Sequence, residues 1–370
     1  MRNLLNRIGV TLSVIAIPLG MAGCPKGSTP TRSRTIVIAD ATDQLKRTIV
    51  VPTADYPIDA ETSMIWCATM QIAWRELVEA MGGDVRAVQT NPVISALHVA
   101  PDARDDLDDA SYVAMAGMGH DGISERIHAE MARKFPSERV TLPPDDIQNH
   151  QILAFCYLAK NLRFALPLMQ RKTPLPFNGA GEHAAFGLWR ESDRTDPDSS
   201  ARWNQVTVLH YHDRGDWSIE IAHNSPGDRL IIGRSPLEPQ LGQTLQRIIN
   251  QPLNDNAQRL ARDERLIVPM IDFDITRQFV ELEGELITGA PALPIEILQA
   301  IQQIRFRLDE RGAELRSQAR IKGEVASEPV RREPRMFVCD GPFFVILMRN
   351  DGARPYFAAY IANDELLLPF

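Results

Sequence analysis

The chain lacks the features that mark most catalytic and nucleic-acid-binding classes. No basic stripe runs through it: 40 Lys and Arg stand against 48 Asp and Glu, for a formal net charge of -8. That balance excludes the electrostatic footprint of a nucleic-acid binder. No Gly-x-Ser-x-Gly, His-Glu-x-x-His or phosphate-loop motif occurs. An enzyme is therefore not expected, nor a bound cofactor. Cysteine is scarce, four in 370 residues with no Cys-x-x-Cys spacing. Cys67, Cys156 and Cys339 each lie among apolar residues and read as buried free thiols.

The remaining candidates for chemistry are weak. His210 and His212 stand two apart on an expected strand and could share a metal, but no third ligand is evident, so no metal is expected. Asp272 and Asp274 could act as paired carboxylates, with a solvated strand edge as the simpler reading. The acidic run at 102–109 lacks the glycine and the distal glutamate of a calcium loop and reads as a solvated helix start.

What is present is ordinary globular composition, 44% hydrophobic and 24% charged, enough for one large core. Helical spacing of Trp66, Met70, Ala73, Leu77 and Ala80, capped at Glu61-Thr62-Ser63 and stopped by Gly82-Gly83, predicts a helix. Ile123, Ile127, Met131 and Phe135 make a second amphipathic stripe. The run from 151 begins as a strand buried on both faces. Residues 206–211, 217–222 and 229–233 form a meander, 241–249 a helix, and 265–275 a strand containing Pro269. Asn350-Asp351-Gly352 marks a hairpin turn between two late strands. Helices early and strands late give an α+β fold with a sizeable mixed or antiparallel sheet.

The N-terminus reads as a leader. Arg2 and Arg7 precede an apolar run, 8–21, which is shorter than the about 20 residues of a spanning helix. Gly20-Met21-Ala22-Gly23-Cys24 resembles a bacterial lipobox, with Met21 where Leu is commoner. This resemblance implies that Cys24 becomes the lipidated first residue of an exported chain anchored in the cell envelope. A plain secretory signal or an uncleaved anchor, with Cys24 incidental, stays open. With Cys24 set aside, three cysteines cannot all pair internally. Residues 25–50 read as a tether, rich in Pro, Ser, Thr and Gly up to about Arg34, followed by a domain over 51–370.

The most informative stretch is 304–319. Ile304, Phe306 and Leu308 alternate with Arg305, Arg307 and Asp309, the period of a half-buried strand. Glu310-Arg311-Gly312 interrupts it. Alternation then resumes, with Ala313, Leu315, Ser317, Ala319 and Ile321 on one face. The same residue types also favour a short helix or a plain loop.

This stretch and the C-terminus together resemble the serpin superfamily, whose members include serine protease inhibitors. Glu310 and Gly312 match the Glu-x-Gly of its hinge, and Phe337, Pro342 and Phe343 match its C-terminal Phe-x-x-x-x-Pro-Phe. The likeness spans about 60–370 and is firm from about 300. The family's early Ser-Pro-x-Ser is absent, and Leu315 and Arg316 stand where inhibitors carry very small residues.

The resemblance implies a serpin-like α+β fold with an exposed reactive loop. It implies suicide inhibition of serine proteases by loop cleavage and strand insertion. The hinge would comprise Glu310, Gly312, Ala313, Leu315, Ser317 and Ala319. Counting along the loop as the family does puts the scissile bond near Ala326-Ser327, with Arg320 or Lys322 as alternatives. The expected partners are a serine protease and, through the lipid, a membrane. A non-inhibitory serpin-fold lipoprotein that binds a partner is the alternative. An unrelated fold would be signalled by 304–308 and 343–348 failing to neighbour each other in one sheet.

Overall fold

Runs that are apolar at every position go to the middle of sheets. Residues Ile152–Leu158 are buried at all seven positions, and so are Pro355–Ile361. The computed structural model describes residues 8–16, 37–39, 45–136, 147–190, 199–251, 258–289, 294–313 and 334–370.

In chain order the first elements are β1 (Ile8–Ala16), β2 (Val37–Ala39), β3 (Thr48–Val51), β4 (Ser63–Cys67), α1 (Thr69–Ala80), β5 (Val85–Ala87) and α2 (Pro92–Val99). Then come β6 (Tyr112–Met118), α3 (Ile123–Lys134), β7 (Ile152–Leu158), β8 (Leu162–Arg163), β9 (Met169–Gln170), β10 (Leu175–Phe177), β11 (Ala180–His183) and β12 (Ala185–Leu188). The middle of the chain gives α4 (Ser199–Asn204), β13 (Val206–Asp213), β14 (Asp216–Ile221), β15 (Asp228–Arg234), α5 (Leu241–Ile249), β16 (Gln258–Arg259), β17 (Arg265–Pro269) and β18 (Ile271–Gln278). The chain ends through β19 (Leu286–Gly289), β20 (Ile295–Asp309), β21 (Gly312–Ala313), β22 (Met336–Val338), β23 (Phe343–Arg349) and β24 (Pro355–Ile361).

The fold is α+β. A ten-stranded mixed sheet runs β2-β18-β20-β1-β7-β6, with β19 and β21 also pairing with β20, β5 with β19 and β8 with β21. An eight-stranded sheet runs β16-β13-β14-β15-β23-β24-β4-β3, and a four-stranded one β22-β17-β12-β9. The two large sheets share one core. Phe306 of the first stacks on Phe357 of the second at 4.7 Å, and Trp74 of α1 is fully buried in the same cluster. α3 lays Ile123, Ile127 and Met131 on Val113, Leu153, Phe155 and Tyr157. Each such side chain contributes about 1.5–3 kcal/mol on burial.

Three readings of the sequence are corrected here. Ser63 does not cap a helix. It opens β4, which pairs with β24 through Trp66↔Ala358, while the Ser63 hydroxyl accepts from the Ala362 and Asn363 amides. Helix α1 starts only at Thr69, without a side-chain cap, so Trp66 belongs to a strand. Residues 265–275 are two strands in different sheets, because Pro269 has no amide to continue the ladder. Residues 304–308 and 343–348 lie in the two large sheets rather than in one, so sharing a sheet was the wrong criterion for this fold: the two sheets pack face to face, with Phe306 on Phe357. Within the span expected as leader and tether, β1 pairs with β20 and β7, β2 with β18, and β3 with β4. The Asn350-Asp351-Gly352 hairpin and the helix at 241–249 are where the sequence puts them.

Candidate functional site

The alternation that marks 304–308 extends upstream, and β20 is fifteen residues long. Its buried face carries Ala300, Gln302, Ile304, Phe306 and Leu308. On one side it pairs antiparallel with β18, Ile271↔Leu308 to Gln278↔Ile301. On the other side two separate segments meet it.

The first is the chain returning on itself. After Asp309, the Glu310-Arg311 turn is held by the Asp309 carboxylate, which accepts from the Arg311 amide at 2.8 Å. Backbone bonds from Phe164 to the Arg311 carbonyl (2.9 Å) and from Leu168 to the Glu310 carbonyl (2.7 Å) pin the turn. Gly312 and Ala313 then enter the sheet as β21. Ala313 lies between Leu308 of β20 and Leu162 of β8, and Gly312 between Asp309 and Arg163. Gly312 has φ 126°, and a Cβ there would sit 2.4 Å from the Leu162 carbonyl oxygen. Only glycine fits. Gly312→Val is expected to expel β21 from the sheet, with amide exchange at Ala313 rising at least tenfold and a stability loss of about 1–3 kcal/mol. An unchanged exchange rate would refute the tight fit.

The second segment is β1, parallel to both its neighbours. Ile15 lies opposite Gln303 of β20 and Tyr157 of β7. From that row to the Ala313 row is five residues along either wall, Gln303 to Leu308 and Tyr157 to Leu162. The walls therefore keep one register, and the space between them is a single slot one strand wide. β1 fills its lower part up to the Ile304 row, and β21 its mouth. Between them Arg305, Phe306 and Arg307 face Ala159, Lys160 and Asn161 with no strand interposed among the described residues.

The wall at this uncovered stretch is polar. Asn161 is buried, and neither atom of its amide has a partner among the described residues. The Lys160 ammonium lies 2.9 Å from Asp228 Oδ1 and 5.4 Å from the Tyr356 ring centre. Asp228 also accepts from the Ser225 hydroxyl at 2.7 Å and the Tyr356 phenol at 3.1 Å. Burial, with the Asp228 carboxylate adding to it, pushes the Tyr356 phenol well above its ordinary range. Beside it the His223 imidazole is pushed down to about 4 by burial, with Asp228 opposing. Its Nδ1 accepts from the Ser225 amide, which requires that nitrogen to be unprotonated. This network ties the slot wall to the eight-stranded sheet.

The structure thus brings Glu310, Gly312 and Ala313 together at the slot mouth. Leu315, Ser317, Ala319, Ala326, Ser327 and Cys24 lie outside the described residues. Sequence reasoning missed Lys160, Asn161, Asp228 and Tyr356; the one local signal was Lys160-Asn161 breaking an otherwise apolar run. Asp272 is no solvated edge carboxylate. It is 1% exposed, 3.8 Å from Arg307, because β18 lies between β2 and β20; Asp274 accepts from Gln303 at 2.8 Å. His210 and His212 point to different carboxylates, Asp216 at 3.7 Å and Asp213 at 3.9 Å, and a bulge interrupts their strand. No group of three or more His, Cys, Asp or Glu converges among the described residues. Cys67, Cys156 and Cys339 are free and buried. No helix among the described residues is long and apolar enough to cross a membrane.

No family model matches the chain, and no curated protein does. Among solved structures, a thermophilic serpin, tengpin, in its native state is 10% identical with a TM-score of 0.47, covering 88% of this chain and 99% of its own. Serpin48 of the insect Tenebrio molitor is 12% identical with a TM-score of 0.44, covering 81% and 92%. Thyroxine-binding globulin in complex with thyroxine is 11% identical with a TM-score of 0.43, covering 84% and 94%.

Proposed function

We propose that this chain is a divergent serpin-fold protein acting as a suicide inhibitor of serine proteases, with the loop after Ala313 as bait. The observation that carries the reading is the hinge: Gly312 and Ala313 are already paired on both sides inside a slot with room for more strand. Continued in the same register, Leu315 would meet Phe306, Ser317 would meet Ile304 and Ala319 would meet Gln302. All three rows belong to the buried face of β20. The sequence alternates in the same phase, so none of the inward residues is charged and insertion buries no unpaired charge. Glu314, on the opposite face, would come between Arg307 and Asn161, whose side-chain amide has no partner among the described residues.

In this reading the protease serine attacks the carbonyl carbon of the scissile bond, near Ala326-Ser327. The peptide C–N bond breaks, the amine leaves with a proton, and an ester to the protease remains. The freed segment then adds as a strand, gaining backbone bonds on two sides. In the same proposal Cys24 carries lipid and holds the protein at the cell envelope, which the Ala22-Gly23-Cys24 sequence supports. Incubation with elastase-like and trypsin-like serine proteases is expected to give a covalent 1:1 product that survives denaturing electrophoresis. Cleavage with no such product would leave the second reading, a non-inhibitory binding protein. Leu315 favours that alternative, because a large side chain enters a packed slot slowly.

A further inference from the structure

The four-stranded sheet β22-β17-β12-β9 has two unlike faces. Phe186 and Leu188 of β12 and Leu266 and Val268 of β17 join the main core. The alternate residues Ala185 and Ile267 turn the other way, into a small separate cluster with Leu175. In the middle of that outer face a side chain is missing. Gly187 stands between Met169 of β9 and Ile267 of β17. Its φ is 153°, and a Cβ there would meet the Leu266 carbonyl oxygen at 1.9 Å. Glycine inside a strand lets something else come close. Met169 and Ile267 line a cavity of about 450 Å³, a size suited to a small ligand.

The rim of this cavity carries charge of one sign. Arg171, Lys172 and Arg265 line it, with Trp189 beside them, and no described residue lining it is acidic. The chain as a whole has net charge -8, so the grouping runs against the composition. None of the three cations makes an ion pair among the described residues, and the Arg171 guanidinium donates to the Thr173 hydroxyl at 2.8 Å. Arg335, just before β22, differs: its guanidinium is taken up by the buried Glu264. Burial, with Arg265 adding to it, pulls the Arg171 guanidinium below its ordinary range. Two like charges facing one space have that effect. Holding them there without a carboxylate costs stability, which an anion between them would return.

We propose that this cavity binds a small aryl phosphate, its oxygens on Arg171, Lys172 and Arg265 and its ring against Trp189 and Met169. Guanidinium forks match phosphate oxygens two at a time, and the ammonium adds a point charge. The indole and the thioether offer the apolar surface that a ring covers. An anion without the ring forgoes that contact, and a ring without the anion leaves the cations unmatched. Such binding is independent of protease inhibition and of the loop.

Calorimetric titration of the full 370-residue chain provides the test, at low ionic strength and about pH 8, where a phosphate monoester is a dianion. Phenyl phosphate is expected to bind saturably at a single site, about tenfold or more tighter than either inorganic phosphate or phenol. Arg171→Gln and Arg265→Gln should each weaken it by about tenfold or more, since each removes a charge-assisted pair. Trp189→Leu should weaken it about fivefold and leave inorganic phosphate unchanged. Arg126→Gln, at an exposed position of α3, removes an equal charge elsewhere and should change nothing. Melting midpoints without ligand show which variants are folded. Where one misfolds, the unsubstituted chain decides. Phenyl phosphate should slow phenylglyoxal modification of Arg171 and Arg265, read peptide by peptide, and leave Arg126 at its own rate. Absence of saturable binding, equal weakening by Arg126→Gln, or unslowed modification at both arginines overturns the site. Equal affinity for inorganic and phenyl phosphate overturns the aromatic half of the ligand.

Discussion

Nicking the chain once between residues 322 and 333 should raise the melting midpoint of a form beginning at Cys24 by about 10 °C. The expectation comes from the slot. In that form the walls of β20 and β7 lack β1, and the loop beyond Ala313 is free to take its place. Each inserted residue orders its backbone at about 1–2 kcal/mol, roughly offset by its two new backbone bonds at about 1 kcal/mol each. The surplus is apolar: Leu315 meeting Phe306 and Ile321 meeting Ala300 are each expected to contribute about 1.5–3 kcal/mol. A net gain of about 5 kcal/mol corresponds to roughly 10 °C at about 2 °C per kcal/mol for a large domain. The full chain should gain only a few degrees, since there the loop can cover little more than the rows of Arg305, Phe306 and Arg307 before meeting Ala16. The comparison needs calorimetry on intact and nicked material. Equal midpoints in the Cys24 form would remove strand insertion from the account of this protein.

The two strands that meet at the slot differ in how legible they were. β20 could be read because one of its faces is buried and the other is not, so Ile304, Phe306 and Leu308 announce their period; its upstream half, with Leu298 exposed among apolar neighbours, was not recognised. Gly312 stood out because a turn with strongly positive φ leaves little choice of residue. β1 was opaque for a physical reason. A strand paired on both edges and an export signal can both be plain apolar runs, and periodicity cannot separate them. Trp66 misled because Met70, Ala73 and Leu77 extend its spacing backward through Ala68, where the chain in fact changes from strand to helix. The Lys160-Asn161 pair, Asp228 and Tyr356 lie far apart in sequence, and only the fold brings them to one wall.

That wall carries the last prediction. Asp228→Ala should lower stability by about 3–5 kcal/mol, read as a shift of the urea midpoint at constant slope. The carboxylate is the counter-charge of Lys160, whose side chain is only 9% exposed, and the acceptor for Ser225 and Tyr356. Its removal leaves a buried ammonium uncompensated and two hydroxyl donors without an acceptor. Replacing both charges, as Lys160→Met with Asp228→Leu, should cost much less than the single change, because nothing buried is then left ionised. The two variants should also separate at the slot. Lys160 precedes Asn161 and Leu162, and Leu162 pairs with Ala313, so loss of the ion pair should speed amide exchange at Leu162 and Ala313 together. The double variant should restore the slow rate. If Asp228→Ala costs under 1 kcal/mol, or exchange at Ala313 stays unmoved, the polar wall is not what holds the hinge residues in the sheet. The turn bonds from Phe164 and Leu168 would then have to hold them alone.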